Sequence, residues 1–379
     1  SITIVTLSLA STQYTPRILR NFMRDRANQF VLGIFVAVFT YCLIVLRTIR
    51  NDGDEGAAGF VPLLAVAFGM LSALLAIACL IFFIHHIASS IQASTILKAI
   101  TDETLNAIEK LFPKELGESM RGDRAASPAQ DSEWLPVFAE NNGYLQHIDQ
   151  GELLQLAEKE DALLRLEQAP GDFVYSGARL VSANKILPNG AVTALQGMFI
   201  VGDFRSVDQD AAFGVRQIVD IALKALSPGV NDTSTAVSCL DYLGAILCQI
   251  TTRREASPLR GKDGELRVIA PVQSFADFVA LSFDQIRLSA NGNVTILRHI
   301  LRVIGRVADT TIDETRRATL LTQARLIIEL ADSSVSSDYD RASINIETRA
   351  LGSVLNVDHA DLPSLDLRRQ TDALSEERD

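Results

Sequence analysis

Phe60-Val-Pro-Leu-Leu-Ala-Val-Ala-Phe-Gly-Met-Leu-Ser-Ala-Leu-Leu-Ala-Ile-Ala-Cys-Leu-Ile-Phe-Phe-Ile84 is an unbroken apolar run without one charged side chain. Crossing the hydrocarbon core of a bilayer takes roughly 20 such residues in a helix. Residues 60–84 exceed that length, so the run predicts a membrane-spanning helix with room for tilt. Upstream, Phe30 to Leu46 is also free of charge, near the lower limit of about 17 residues, and the aliphatic stem of Arg47 extends it by snorkelling. Residues 30–48 and 60–84 are therefore expected to form a membrane-spanning hairpin, joined by a short external loop at 49–59 that contains Asn51-Asp-Gly-Asp-Glu-Gly56.

Orientation follows from the distribution of arginine. Arg17, Arg20, Arg24 and Arg26 precede the first span, and only Arg47 and Arg50 follow it. Positively charged flanks stay on the cytoplasmic side, which places the acidic loop outside and returns the chain to the cytoplasm at His85-His86. The opening Ser1-Ile-Thr-Ile-Val-Thr-Leu-Ser-Leu-Ala10 reads as the end of an apolar segment, so residues 1–29 are expected to be the end of an upstream membrane helix and a basic connector.

Small residues recur along both spans: Gly33 and Ala37 in the first, Ala65, Gly69 and Ala73 in the second. Such ridges let helix backbones approach closely in lipid, which points to packing within a bundle or between subunits. A pore lining has less support, because neither span carries an ionisable residue near its middle. His85 and His86 are adjacent and project about 100° apart on a helix, whereas helical metal pairs sit three or four residues apart; interfacial placement accounts for them.

Composition narrows the function classes. The net charge of -11 argues against a nucleic-acid partner, which would require a sustained basic face. Of the four cysteines, Cys42 and Cys79 lie in the apolar runs, and Cys239 and Cys248 lie too far apart along one helical stretch to pair. Neither a disulfide framework nor a zinc site is expected.

The remainder reads as an α+β region. Residues 85–131 predict a juxtamembrane helix, from Ile87 to Leu111 and ended by Pro113, and then a linker from Gly117 to Asp131. Residues 132–206 predict a β-rich, barrel-like module, with strands near 143–149 and 162–167 and the turn Ala169-Pro-Gly-Asp-Phe-Val174. Its pattern resembles the barrel-sandwich shape of biotinyl and lipoyl domains but lacks the modified lysine. Residues 207–360 predict a helical domain, with helices at 210–226, 231–247, 275–289, 294–308, 314–331 and 341–355, a loop at 253–264 and a strand at 266–272. Arg216, Asp220 and Lys224 are spaced for a surface ion-pair ladder. Residues 361–379 are charged and predict a flexible tail. The expected fold class is a membrane α-helical bundle plus a cytoplasmic α+β region.

The most distinctive stretch is Lys224-Ala-Leu-Ser-Pro-Gly-Val-Asn-Asp-Thr-Ser-Thr-Ala236, followed by Cys239-Leu-Asp241. With Ser11-Thr-Gln-Tyr-Thr-Pro-Arg-Ile-Leu-Arg-Asn-Phe22 and Pro170-Gly-Asp-Phe-Val174, it resembles the bacterial family of predicted membrane proteins called domain of unknown function 2254. The resemblance covers nearly the whole chain. It implies four membrane helices, two of them upstream of Ser1, in a bacterial inner membrane, and it brings no established activity and no catalytic residues.

Within the motif, Ser227, Gly229, Asn231, Asp232 and Thr235 are the candidate ligand-binding residues. A Ser-Pro-Gly turn feeding an Asn-Asp helix start exposes backbone N–H groups that bind anions. Alternatively, Asn231, Asp232 and Thr235 supply oxygen ligands to a cation, or the residues cap a helix and fix a sharp corner. The signatures of hydrolases, P-loop enzymes, redox dithiols and zinc proteases are absent. His147 and Asp149, two apart on an expected strand, and His299, alone in a basic helix, read as structural. No catalytic residue, metal ligand or cofactor is assigned. The expectation is an oligomeric membrane assembly, channel-like or regulatory, with the lipid bilayer, further copies and a small anionic ligand or cation as partners. A membrane-anchored sensor or scaffold is the alternative, and an enzyme whose site is dispersed in sequence stands behind it.

Overall fold

A computed structural model describes residues 26–49, 61–90, 92–111, 118–119, 134–253, 259–262, 265–358 and 361–367. The expected N-terminal connector, the acidic turn at 51–56, the linker at 120–131 and the tail beyond Leu367 lie outside the described residues. The chain divides into two compact units at Ile96/Leu97.

The first unit holds α1 (Arg26–Thr48) and α2 (Leu63–Ser90). Both are long and apolar enough to cross a membrane, over Gln29–Thr48 and Leu63–His86. The two helices pack together, with Tyr41 of α1 set against Ala65, Phe68 and Gly69 of α2. Their remaining faces are apolar and exposed, as lipid-facing or helix-facing surfaces are. Gly69 has a direct role: Tyr41 lies over it, 3.6 Å from where a Cβ would stand, and its hydroxyl donates to Ala65 O at 3.0 Å. Gly33 is different, for nothing lies within 4 Å of its Cβ position. The expected single helix from Ile87 to Leu111 is two pieces, because α2 runs on through Ser90 and α3 (Ala93–Leu111) begins with Thr95 N–H donating to Gln92 O at 3.0 Å.

In the second unit, nine strands among the described residues form two sheets: β1 (Glu118–Ser119), β2 (Leu135–Phe138), β3 (Gly143–Ile148), β4 (Leu164–Leu166), β5 (Phe173–Val174), β6 (Arg179–Ala183), β7 (Phe199–Gly202), β8 (Leu259–Lys262) and β9 (Glu265–Ile269). The larger has the order β1-β8-β9-β4-β6-β2, the smaller β5-β3-β7. Helices α4 (Gln150–Lys159) and α5 (Asn189–Gly197) complete this module. Its core gathers Leu145, Ile148, Leu153, Leu164, Leu195 and Val268.

Strands from the expected β-rich module at 132–206 fall in both sheets. The strands make two sheets of linear order, and β9 enters from the stretch assigned to the helical domain, pairing parallel to β4 through Leu164↔Val268 and Arg165↔Ile269. The expected loop at 253–264 contains β8, which pairs antiparallel with β9.

The rest is helical: α6 (Ala211–Leu226), α7 (Thr233–Thr251), α8 (Phe275–Ser289), α9 (Val294–Asp309), α10 (Glu314–Ser334) and α11 (Asp338–Leu355). Side-chain caps start them, with Asp210, Asp232, Ser274, Asn293, Asp313 and Ser337 each accepting a first-turn N–H. α9 lies at the centre, packed on α7, α10 and α11, and buries Ile296, Leu297, Ile300, Leu301 and Ile304. Its arginines turn outward to acidic partners: Arg298 and Arg302 to Glu347 of α11, and Arg306 to Asp241 of α7. Arg216 reaches Gln285 of α8 at 2.9 Å, so this end of the expected ion-pair ladder ties two helices together. Residues 361–367 are not the loose tail expected from their charge, since Leu362 and Leu365 are buried against the helices.

Candidate functional site

The Ser-Pro-Gly-Val-Asn-Asp corner joins α6 to α7. Ser227 leaves the helix in extended geometry, its hydroxyl donating to Lys224 O at 2.6 Å. Pro228 cannot donate to a further helical turn. The chain then reverses: Val230 N–H and Asn231 N–H both donate to Ser227 O, at 3.0 and 2.9 Å, and Asp232 N–H donates back to Ala225 O at 2.8 Å. Asn231 makes this reversal in the left-handed region, φ +49°, which asparagine tolerates better than most residues.

Asp232 then caps α7. Its Oδ1 accepts from Thr235 N–H at 3.0 Å and its Oδ2 from the Thr235 hydroxyl at 2.6 Å. The hydroxyl bond and the N–H bond from Thr235 hold the carboxyl below its ordinary range, so it is ionised at neutral pH. One turn further, burial, reinforced by the charge of Asp232, pushes the Cys239 thiol up to about 12, which makes it inert as a nucleophile.

Of the five candidate residues, Ser227, Asp232 and Thr235 thus have their side chains engaged in the corner's own hydrogen bonds, while Gly229 and Asn231, the latter bound through its N–H, stand exposed. The carboxylate of Asp232 already occupies the positive end of α7, so an anion there would meet a negative charge. Oxygen donors to a cation fit this electrostatics better. Among the described residues, no three His, Cys, Asp or Glu side chains converge on a metal-sized space.

Three other clusters were hidden in the sequence. Asp210, 3 % exposed, caps α6 and grips Arg205 through Nε at 2.5 Å and Nη2 at 3.2 Å. Burial raises its carboxyl, and the Arg205 guanidinium opposes that rise. The Pro-Gly-Asp-Phe turn covers this pair at Gly171. His299 has a partner in Asp241, Nε2 to Oδ1 at 3.0 Å, which neighbouring helices bring together across 58 residues. His147 stays on β3 with Nδ1 3.7 Å from Asp208, whereas Asp149 caps α4, so the two do not share a strand face.

The small sheet carries an open aromatic face. Tyr144 and Phe173 meet edge-on at 5.0 Å, Phe173 and Tyr175 at 5.2 Å, and Ile200 and Phe204 are exposed nearby in sequence and strand order.

Comparison with known proteins agrees with the apolar hairpin. The family described as Predicted membrane protein (DUF2254) matches residues 1–306. An uncharacterized protein of Mycobacterium bovis and another of Mycobacterium tuberculosis are each 32% identical over 354 residues, covering 91% of this chain and 67% of the relative. No solved structure matches the chain. With a family match across both apolar helices and into α9, the chain belongs to the DUF2254 family of predicted membrane proteins.

Proposed function

We propose that the chain is a subunit of an oligomeric assembly in a bacterial inner membrane, channel-like or regulatory, with its α/β unit on the cytoplasmic side. The observation that carries this reading is the unfilled ridge on α1. Gly33 and Ala37 are exposed, and nothing lies within 4 Å of the Gly33 Cβ position, so this ridge is not spent on packing against α2. In lipid, a small-residue ridge of this kind lets another helix backbone approach closely. The excess of arginine before α1 supports the orientation. Without a central charge, the hairpin favours passive conduction or regulation over ion-coupled transport.

The test is the subunit count of the full-length protein released from lipid nanodiscs, read by native mass spectrometry. A closed ring of several copies, weakened by Gly33→Leu, is the expected result, and liposome flux then separates pore from regulator. A monomer in both proteins overturns the reading.

The open aromatic face of the small sheet favours a second reading, a membrane-anchored sensor or scaffold. In it, the face around Phe173 and Tyr175 meets a partner, and the corner at Ser227, Gly229, Asn231, Asp232 and Thr235 takes a cation. Thermal stabilisation by calcium that is lost in Asp232→Asn supports that role, and an unchanged melting temperature removes it.

A further inference from the structure

The segment after the last helix is seated against α10 and α11 like a bound peptide. Asp361 to Leu367 forms neither helix nor strand, yet Leu362 and Leu365 are each 4 % exposed. Asn345, buried on α11, donates from Nδ2 to Leu365 O at 2.9 Å and accepts at Oδ1 from Leu365 N–H at 2.7 Å. A residue whose N–H and C=O meet one partner is extended, and the amide of Asn345 engages it as a neighbouring strand would. Arg341 donates to Asp366 O at 2.5 Å, and Arg325 of α10 donates to Asp361 O at 2.6 Å and to its carboxylate at 2.9 Å.

These contacts read main chain at three points and two leucines three residues apart. That is the recognition used for separable extended peptides, where backbone bonds supply affinity and side-chain pockets supply selectivity. The seat is also incompletely filled. A cleft of about 430 Å³ opens beside the segment along Arg325, Glu329 and Asp332, and another of about 370 Å³ along Thr348, Arg349 and Leu362. Leu351 and Ile344 on α11 are 2 % and 0 % exposed and line neither cleft, and close packing is what makes an element inseparable.

We propose that the α10–α11 groove is a peptide-binding site, that Asp361–Leu367 occupies it in cis, and that its exchange partner is the same segment of a second copy. The groove fits Leu-Pro-Ser-Leu-Asp, each copy carries that sequence, and confinement in a bilayer raises the local concentration of copies. The proposal concerns the α/β unit and stands whether or not the membrane helices form a ring.

The probe is a fluorescent synthetic peptide of residues 358–369, and the receptor is the full chain carrying Leu362→Asp and Leu365→Asp, which empties the groove. Saturable binding is expected, weaker by about tenfold or more in the unaltered chain, where the cis segment leaves little competent groove. Adding Asn345→Ala to the receptor abolishes binding. A folded receptor that ignores the peptide overturns the proposal, as does equal binding by the unaltered chain. Should the receptor fail to fold, hydrogen exchange on the unaltered chain decides: the Leu365 amide exchanging well before that of Leu351 supports a separable segment, and exchange of both only on global unfolding refutes it. For the second copy, emptied-groove chains labelled with an acceptor are mixed with donor-labelled unaltered chains. Energy transfer that the peptide competes away is expected, and its absence despite peptide binding removes the second copy as partner.

Discussion

Gly171 and Asp210 share one space: a Cβ built on Gly171 would fall 2.1 Å from Asp210 Oδ2 and 2.9 Å from Arg205 Nε. The turn therefore presses bare backbone on a buried ion pair that also caps α6. Gly171 stands at φ +98°, where a side chain adds strain as well as a clash.

Gly171→Ala is expected to cost about 3 kcal/mol or more, since it must displace a buried carboxylate or the guanidinium paired with it. Gly177→Ala is the control. Its φ of +84° is comparable but nothing lies within 4 Å of its Cβ, so it carries only the backbone cost, about 1–2 kcal/mol. Chemical denaturation of the two variants measures the difference, and equal losses would refute the close approach.

α3 meets α6 in a similar way. At Gly214 a Cβ would stand 1.9 Å from Thr104 Oγ1, and the Thr104 hydroxyl is already turned to Ile100 O at 2.6 Å. Gly214→Ala should destabilise the unit, and Thr104→Ala should recover part of the loss by removing the nearest atom. The double-mutant cycle is expected to show about 1–3 kcal/mol of favourable coupling. Additive losses would mean that α3 moves aside.

The local features were legible before the fold was. Charge-free runs located α1 and α2, and Phe275, Val294 and Glu314 were correctly read as helix starts, because caps and apolar periodicity are written within one or two turns. The Asn-Asp pair ahead of an apolar run marks a helix start in the same way, and Asp232 is the residue that caps it. What escaped was set by distant pairing. The parallel register Leu164↔Val268 joins strands about a hundred residues apart, and a strand as short as Leu259–Lys262 has too little pattern to betray its partner. Asp149 reads as a strand residue from the sequence, but β3 ends at Ile148 and Asp149 caps α4. The corner's sequence announced a turn, but only the Thr235 hydroxyl on Asp232 showed that the helix end is already occupied by a carboxylate.

Two of the capping aspartates, Asp232 and Asp210, should respond oppositely to acid. Asp232 is held below its ordinary value by Thr235, so its contribution is complete above about pH 4 and is lost as pH falls through the lowered value. Asp210 is raised by burial, so its ionised form is the strained one, and the associated stability is present in acid and lost as pH rises through the raised value. The stability difference between the unaltered chain and Asp232→Asn is therefore expected to shrink below about pH 4, read by urea melts across pH. A difference that stays constant there would place the carboxylate outside the cap.

In the hairpin, Tyr41→Phe removes the hydroxyl that donates to Ala65 O and keeps the ring on Gly69 and against Phe68, 5.2 Å away. The expected loss is about 0.5–1.5 kcal/mol, the range of interhelical bonds in lipid. Gly69→Leu, which drives a branched side chain into that ring, should cost more. Steric trapping in bicelles measures both, and the reverse ranking would show that the helices do not meet at this ridge.

Arg341 is 1 % exposed, an unusual depth for a guanidinium. All of its nitrogens are used: Nη1 donates to Asp332 O at 3.1 Å and Val335 O at 2.9 Å, Nη2 to the Asp332 carboxylate, and Nε to Asp366 O. Those carbonyls close the end of α10 and the segment beyond α11, so one planar fork fastens three pieces of chain. Arg341→Met keeps the buried stem and leaves buried carbonyls without donors, with an expected loss of about 3 kcal/mol. Arg341→Lys should recover less than half of this, because one ammonium cannot reach acceptors that lie on both sides of the guanidinium plane edge. Ser343→Ala, which loses a single bond to Asp340 O one turn away, is expected to cost under about 1 kcal/mol. Thermal melts of the three variants give the ranking, and a lysine as stable as the arginine would show that charge alone, not the geometry of the fork, holds this end of the molecule.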